Sequence, residues 1–105
     1  MKKFAEFGIN PLENKRIFQV PKISIEDILN SEIEVLDYDS GVKTFHGENR
    51  YVVKIKSEGV EQKFFTNASP IKESLDQIPK SDYPFLATIK AKKFGTGNKK
   101  TYYFI

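Results

Sequence analysis

The stretch from Thr44 to Thr66 constrains the fold of this chain more than any other. Tyr51, Val53 and Ile55 alternate with Arg50, Val52, Lys54 and Lys56. A period of two gives a strand one apolar face and one basic face. Ser57-Glu58-Gly59 follows, a three-residue linker ending in a glycine that can take the left-handed conformation a tight connection needs. Residues 60–66 then read as a second strand, so the stretch forms a hairpin. Its alternation breaks at Phe64-Phe65. Only one of two consecutive strand side chains enters a one-sided core. Alternation alone does not fix which; the core assignment goes to Phe64 and the contact assignment to Phe65. A basic sheet face carrying an aromatic ring suits single-stranded nucleic acid, whose bases stack on rings while cations follow the phosphates.

The remaining elements are read around this hairpin. Residues 1–22 show weak periodicity, with turn signals at Asn10-Pro11 and Val20-Pro21, and are expected to be an extended or partly disordered N-terminal arm. Residues 23–105 form the domain. Ser24-Ile25-Glu26-Asp27 is a variant of the capping box and starts a short helix that Asn30-Ser31 ends. Glu32 to Tyr38 is a strand with Ile33 and Val35 inward, Asp39-Ser40-Gly41 a turn, and residues 42–49 a polar loop with Lys43, Phe45 and His46. After the hairpin, Ser69 is the expected N-cap of a helix over 70–78, with Pro70 at the first helical position and Pro79 as its stop. Pro84 opens a fourth strand, residues 93–100 form a loop with two glycines and three lysines around Phe94, and Thr101 to Ile105 is a fifth strand.

This order predicts a mostly all-β fold with one or two short helices: a five-stranded OB-type Greek-key barrel with its helix between strands three and four. Its core comprises Ile33, Val35, Tyr51, Val53, Ile55, Phe64, Phe85, Ile89 and Phe104. Ligands of such barrels lie on strands two and three, between the first–second and fourth–fifth loops. Here those loops are 39–49 and 93–100, and both combine lysine with an aromatic ring.

A chain of 105 residues is one domain with room for an unstapled core. Cysteine is absent, which excludes disulfides and thiolate metal sites and fits a reducing compartment. No apolar run reaches the roughly 20 residues of a membrane span, and Met1-Lys2-Lys3 is not followed by the apolar run of a signal peptide. The expected location is cytoplasmic. The net charge of +3 is unevenly spread. Charged residues from Ile23 to Asp39 are all acidic, and those from Ile89 onward are all basic. That split is either a solvated surface or the footprint of an anionic partner.

Catalysis finds little support. His46 is the sole histidine and has no Cys, His-x-Glu or Gly-x-Ser-x-Gly motif beside it. One histidine with scattered carboxylates makes a weak metal site, and Gly95-x-Gly97 lacks the Gly-Lys-[Ser/Thr] of a phosphate loop. No cofactor is expected. The basic–aromatic set remains. Lys43, Arg50, Lys54, Lys56, Lys90, Lys92, Lys99 and Lys100 are assigned to phosphates, and Phe45, Phe65, Phe94 and Tyr103 to bases. Most of the nine Phe and five Tyr must still serve the core. Of Tyr102-Tyr103, alternation sends one outward, and the assignment falls on Tyr103.

From Ile23 onward the chain resembles the small OB-fold single-stranded-DNA-binding proteins of phages and mobile elements of Gram-positive bacteria. The residues that carry the resemblance are Ile23 to Leu29, Ile33 to Tyr38, Phe64-Phe65-Thr66-Asn67-Ala68-Ser69, Pro84 to Ile89 and Tyr102-Tyr103-Phe104. The resemblance implies a non-enzymatic role in DNA replication or recombination of phage or mobile-element DNA, with single-stranded DNA and replication proteins as partners. Cellular single-stranded-DNA-binding proteins carry a long acidic tail for recruiting partners. The sequence stops at Ile105, so recruitment by that route is not expected. Pairing of edge strands would give a homodimer. Two alternatives stand beside this reading: a protein-interaction module on the same barrel, such as a phage inhibitor or assembly factor, and RNA binding.

Overall fold

A computed structural model describes residues 1–3, 18–44, 47–95 and 99–105. Five strands make one antiparallel sheet: β1 (Glu32–Thr44), β2 (Gly47–Ser57), β3 (Val60–Thr66), β4 (Phe85–Lys93) and β5 (Lys100–Phe104). One α-helix, α1 (Ser69–Gln77), joins β3 to β4. The strand order is β3-β2-β1-β4-β5, which leaves β3 and β5 at the edges of a sheet that does not close on itself. β1 is the junction. Glu34 and Val35 face Lys56 and Ile55 of β2 on one side and Leu86 and Phe85 of β4 on the other.

β1 and β2 are longer than their alternation suggests. The expected loop over 39–49 is mostly strand, with only Phe45 and His46 between Thr44 and Gly47 outside the described residues. The physical reason lies in three register shifts along β1, at Val35/Asp37, Asp39/Val42 and Val42/Thr44. Each bulge adds a residue and resets the alternation, and Gly41 takes a φ of 67° there, a conformation glycine adopts without strain. Val42 pairs with Arg50 and so lies on the basic face with Val52, which pairs with Asp39 and Phe65; both valines are fully buried yet stand outside the core cluster. That face is therefore not uniformly polar.

The second hairpin is tighter than its three-residue linker implies. Ser57 pairs with Val60, and Glu58 and Gly59 both have positive φ, at 51° and 80°. Two left-handed residues form the primed turn whose twist matches that of the flanking strands. Helix α1 also begins one residue early. Its N-cap is Ala68, without a side-chain bond, and Ser69 lies inside the first turn. The Ser24 signal closes a 3₁₀ turn, Ile25–Ile28, in which the Ser24 hydroxyl accepts from the Glu26 amide at 3.3 Å.

The core sits between the concave side of the sheet and α1. Ile33, Val35, Val53, Ile55, Phe64 and Ile89 are buried with Ile28, Ile71, Leu75 and Ala87. Tyr51, Phe85 and Phe104, expected among the buried residues, pack against this cluster but stay partly exposed. They continue into an aromatic network whose Tyr38 and Tyr51 rings stack with centroids 5.7 Å apart. Both hydroxyls donate to Asp76 on α1, at 3.1 and 2.6 Å, and Tyr83 donates to the Leu75 carbonyl at 3.1 Å. Lys80 lies 4.0 Å from the Tyr38 ring centre and pairs with Asp37 at 2.6 Å. Helix and sheet are thus joined by polar tips as well as by apolar burial.

Residues 21–30 run from the edge strand β3 to β4. At one end, Lys63 of β3 donates to the Pro21 carbonyl and accepts from the Ile23 amide, at 2.9 and 2.8 Å. At the other, the Asn30 amide donates to Ile89 of β4 at 2.9 Å. This strap leaves no direct backbone pairing between β3 and β5 among the described residues, and it holds Glu26 over the gap between them.

Two tests follow from the packing. Phe64→Ala is expected to cost about 3–5 kcal/mol in urea unfolding, against about 1 kcal/mol for Phe65→Ala; equal costs would contradict the inward assignment of Phe64. Bonding to Asp76, with burial second, raises the Tyr51 pKa to about 12. A group raised in the folded state stabilises it fully below the unfolded value near 10, and that contribution is lost as pH rises towards 12. Asp76→Ala should therefore move Tyr51 ionisation back towards 10 in an ultraviolet phenolate titration and destabilise the fold by about 1 kcal/mol.

Candidate nucleic-acid interface

A cleft of about 380 Å³ opens where the end of β3 and the start of α1 face β5. Arg50 of β2, Phe65 of β3, Phe94 and Lys100 all line it. These residues lie as far apart in sequence as the hairpin and the last strand, yet all four belong to the set assigned from sequence to strand binding. Ile25 of the strap and Tyr102 of β5 complete the lining at that end. Phe94 is half exposed, and the segment that carries it is closed by the Phe94 amide donating to the Lys99 carbonyl at 3.1 Å.

The strap supplies an acid at the edge of the cleft. Glu26 Oε1 accepts from the Tyr102 hydroxyl and pairs with Lys100 Nζ at 2.5 Å. Those bonds, Lys100 first and Tyr102 second, lower the Glu26 pKa, so the group is a carboxylate at neutral pH. The same contact raises the Lys100 pKa and keeps the ammonium charged. Burial, with the bond to Glu26 second, raises that of Tyr102 and keeps its hydroxyl a donor.

The other assigned residues are dispersed. Lys54 pairs with Glu61 at 3.2 Å and lies 5.8 Å from the Phe18 ring centre. Lys43 pairs with Glu48 at 3.6 Å, and Lys90 donates to Asn30 at 3.0 Å. Lys56, Lys92 and Lys99 are exposed but do not line the cleft. Tyr103 pairs with Lys90, on the face of β5 opposite Phe104 and Tyr102, so the cleft takes Tyr102 in its place. Phe45 lies outside the described residues. Sequence reasoning missed Glu26, read only as part of a capping box, and Lys22 and Lys63, whose ammonium groups lie 5.6 and 5.8 Å from the Phe65 ring centre. The outer face of β2 and β3 is partly taken by the chain's own residues, since Lys63 Nζ also donates to the Phe18 carbonyl at 2.8 Å.

Among the described residues no three His, Asp or Glu side chains lie close enough to hold a metal ion, and no helix is long and apolar enough to cross a membrane. The family described as Domain of unknown function (DUF8468) matches residues 19–105, and the chain belongs to that family. No curated protein and no solved structure matches the chain.

The half-exposed ring of Phe94 touches the cleft without belonging to the core. Phe94→Ala should therefore leave the unfolding free energy within about 0.5 kcal/mol of the parent, as read by circular dichroism in urea; a larger loss would make Phe94 a packing residue.

Proposed function

We propose that this chain is a non-enzymatic binder of single-stranded nucleic acid, with DNA the ligand favoured by its resemblance to phage and mobile-element proteins. The observation that carries the reading is the meeting of Arg50, Phe65, Phe94 and Lys100 in one cleft. A double helix offers proteins its base edges in the grooves, whereas its base faces are stacked away. Rings set in a cleft reach base faces only when the strand is single, and flanking cations then follow its phosphates. Strand order supports the finer architecture, since an OB-type barrel is partly open and β3 and β5 are the edges that would meet at its seam. On this reading the protein acts with replication proteins in replication or recombination of mobile DNA, in the cytoplasm, and its edge strands provide for a homodimer.

Fluorescence anisotropy with a single-stranded oligonucleotide, its duplex and the matching RNA, at two salt concentrations, tests this. Single strands should bind tighter than duplex, with affinity falling steeply as salt rises. Phe94→Ala should weaken binding by about 1–3 kcal/mol at an unchanged salt slope. Lys100→Ala should instead lower the slope by about 0.7. Tighter binding of RNA would move the ligand from DNA to RNA. Absence of any preference for single strands would overturn the reading in favour of the protein-interaction module.

A further inference from the structure

Lys100 Nζ and the Tyr102 hydroxyl converge on a single oxygen, Oε1 of Glu26. Two donors aimed at one anionic oxygen are what a phosphodiester oxygen also requires. Both donors line the cleft, and the acceptor that meets them comes from the strap, not from β5 itself. We propose that Lys100 and Tyr102 form an oxyanion subsite for one phosphodiester of a bound strand, which the Glu26 carboxylate fills when no strand is present. The inference rests on the single-strand reading above.

The arrangement suits exchange. The Glu26 and Lys100 side chains are 45% and 40% exposed, so water screens their attraction and their pair is weak. The strap need not move for the carboxylate to leave. Its backbone is tied to Lys63 and to Ile89 on either side of Glu26, and only side-chain rotation is needed. Once Glu26 turns away, Lys100 and Tyr102 face the cleft beside Phe94, and a phosphate bound there sets the next base near the ring. Glu26 thereby lowers affinity for every polyanion, and a ligand must replace both of its bonds to bind.

The test compares Glu26→Gln, Asp27→Asn, Lys100→Ala and the Glu26→Gln/Lys100→Ala double variant with the parent, using oligothymidylate at low salt. Glutamine keeps the shape of the side chain and removes its charge. Asp27→Asn makes the same change in net charge one residue away, on an exposed side chain of the same turn. Glu26→Gln is expected to tighten binding about threefold, Asp27→Asn to leave it nearly unchanged, and the gain to vanish when Lys100 is absent. Binding by Glu26→Gln with none by the parent would also support the subsite. Equal tightening by Asp27→Asn, a gain that persists without Lys100, or weaker binding by Glu26→Gln would overturn it while leaving the single-strand reading intact. Failure of both parent and Glu26→Gln to bind would overturn the two together.

Discussion

Everything in this fold hangs on the double pairing of Glu34 and Val35. At these two residues β1 is bonded to β2 on one side and to β4 on the other. The hairpins to either side, one carrying β3 and the other β5, have no other shared backbone ladder among the described residues. A strand that serves two partners over part of its length and one partner over the rest must bend, and bulges are how strands bend. The shift at Val35/Asp37 follows directly after the doubly paired residues, and that at Asp39/Val42 comes three paired residues later. They curl the sheet around the core cluster, and the curl brings the β3 end within reach of β5.

Ten residues run from β3 to β4 beside the cleft that separates the β3 end from β5. Backbone bonds to Lys63 and Ile89 fix the strap, and Glu26 meets Lys100 and Tyr102 of β5 from it. Aromatic tips do the corresponding work at the helix, where Asp76 accepts from two tyrosines. Apolar burial sets the overall form, while these few polar contacts decide which groups end up facing the cleft.

How much of this the sequence disclosed depended on whether periodicity survived. Alternation in Arg50 to Lys56 placed Val53 and Ile55 in the core, and the Phe64-Phe65 pair divided inward and outward as assigned. Alternation failed where β1 bulges, so Val42 was read as loop, and it gave no sign that Val52 would be covered on the basic side. The cleft was half legible. Arg50, Phe65, Phe94 and Lys100 were chosen by residue type and position in the element order, which survives small errors of register. Tyr102 and Tyr103 could not be separated that way, because one residue of register in β5 exchanges them. Glu26 was out of reach altogether: local sequence shows its place in a turn, and only the crossing of the strap shows what its carboxylate meets.

The strap has a consequence for how the cleft comes into being. Glu26 and Tyr102 stand 76 positions apart, and contacts of such long separation form after local ones, since the intervening chain must first be ordered. During synthesis the turn with Glu26 emerges long before its partners on β5, so no partly made chain has a cleft. The cleft is complete only when β5, which supplies Lys100 and Tyr102, is in place. A ligand held there binds only the finished structure, and by mass action it shifts the equilibrium towards the docked strand. Occupancy of the cleft and docking of β5 are then linked in one equilibrium.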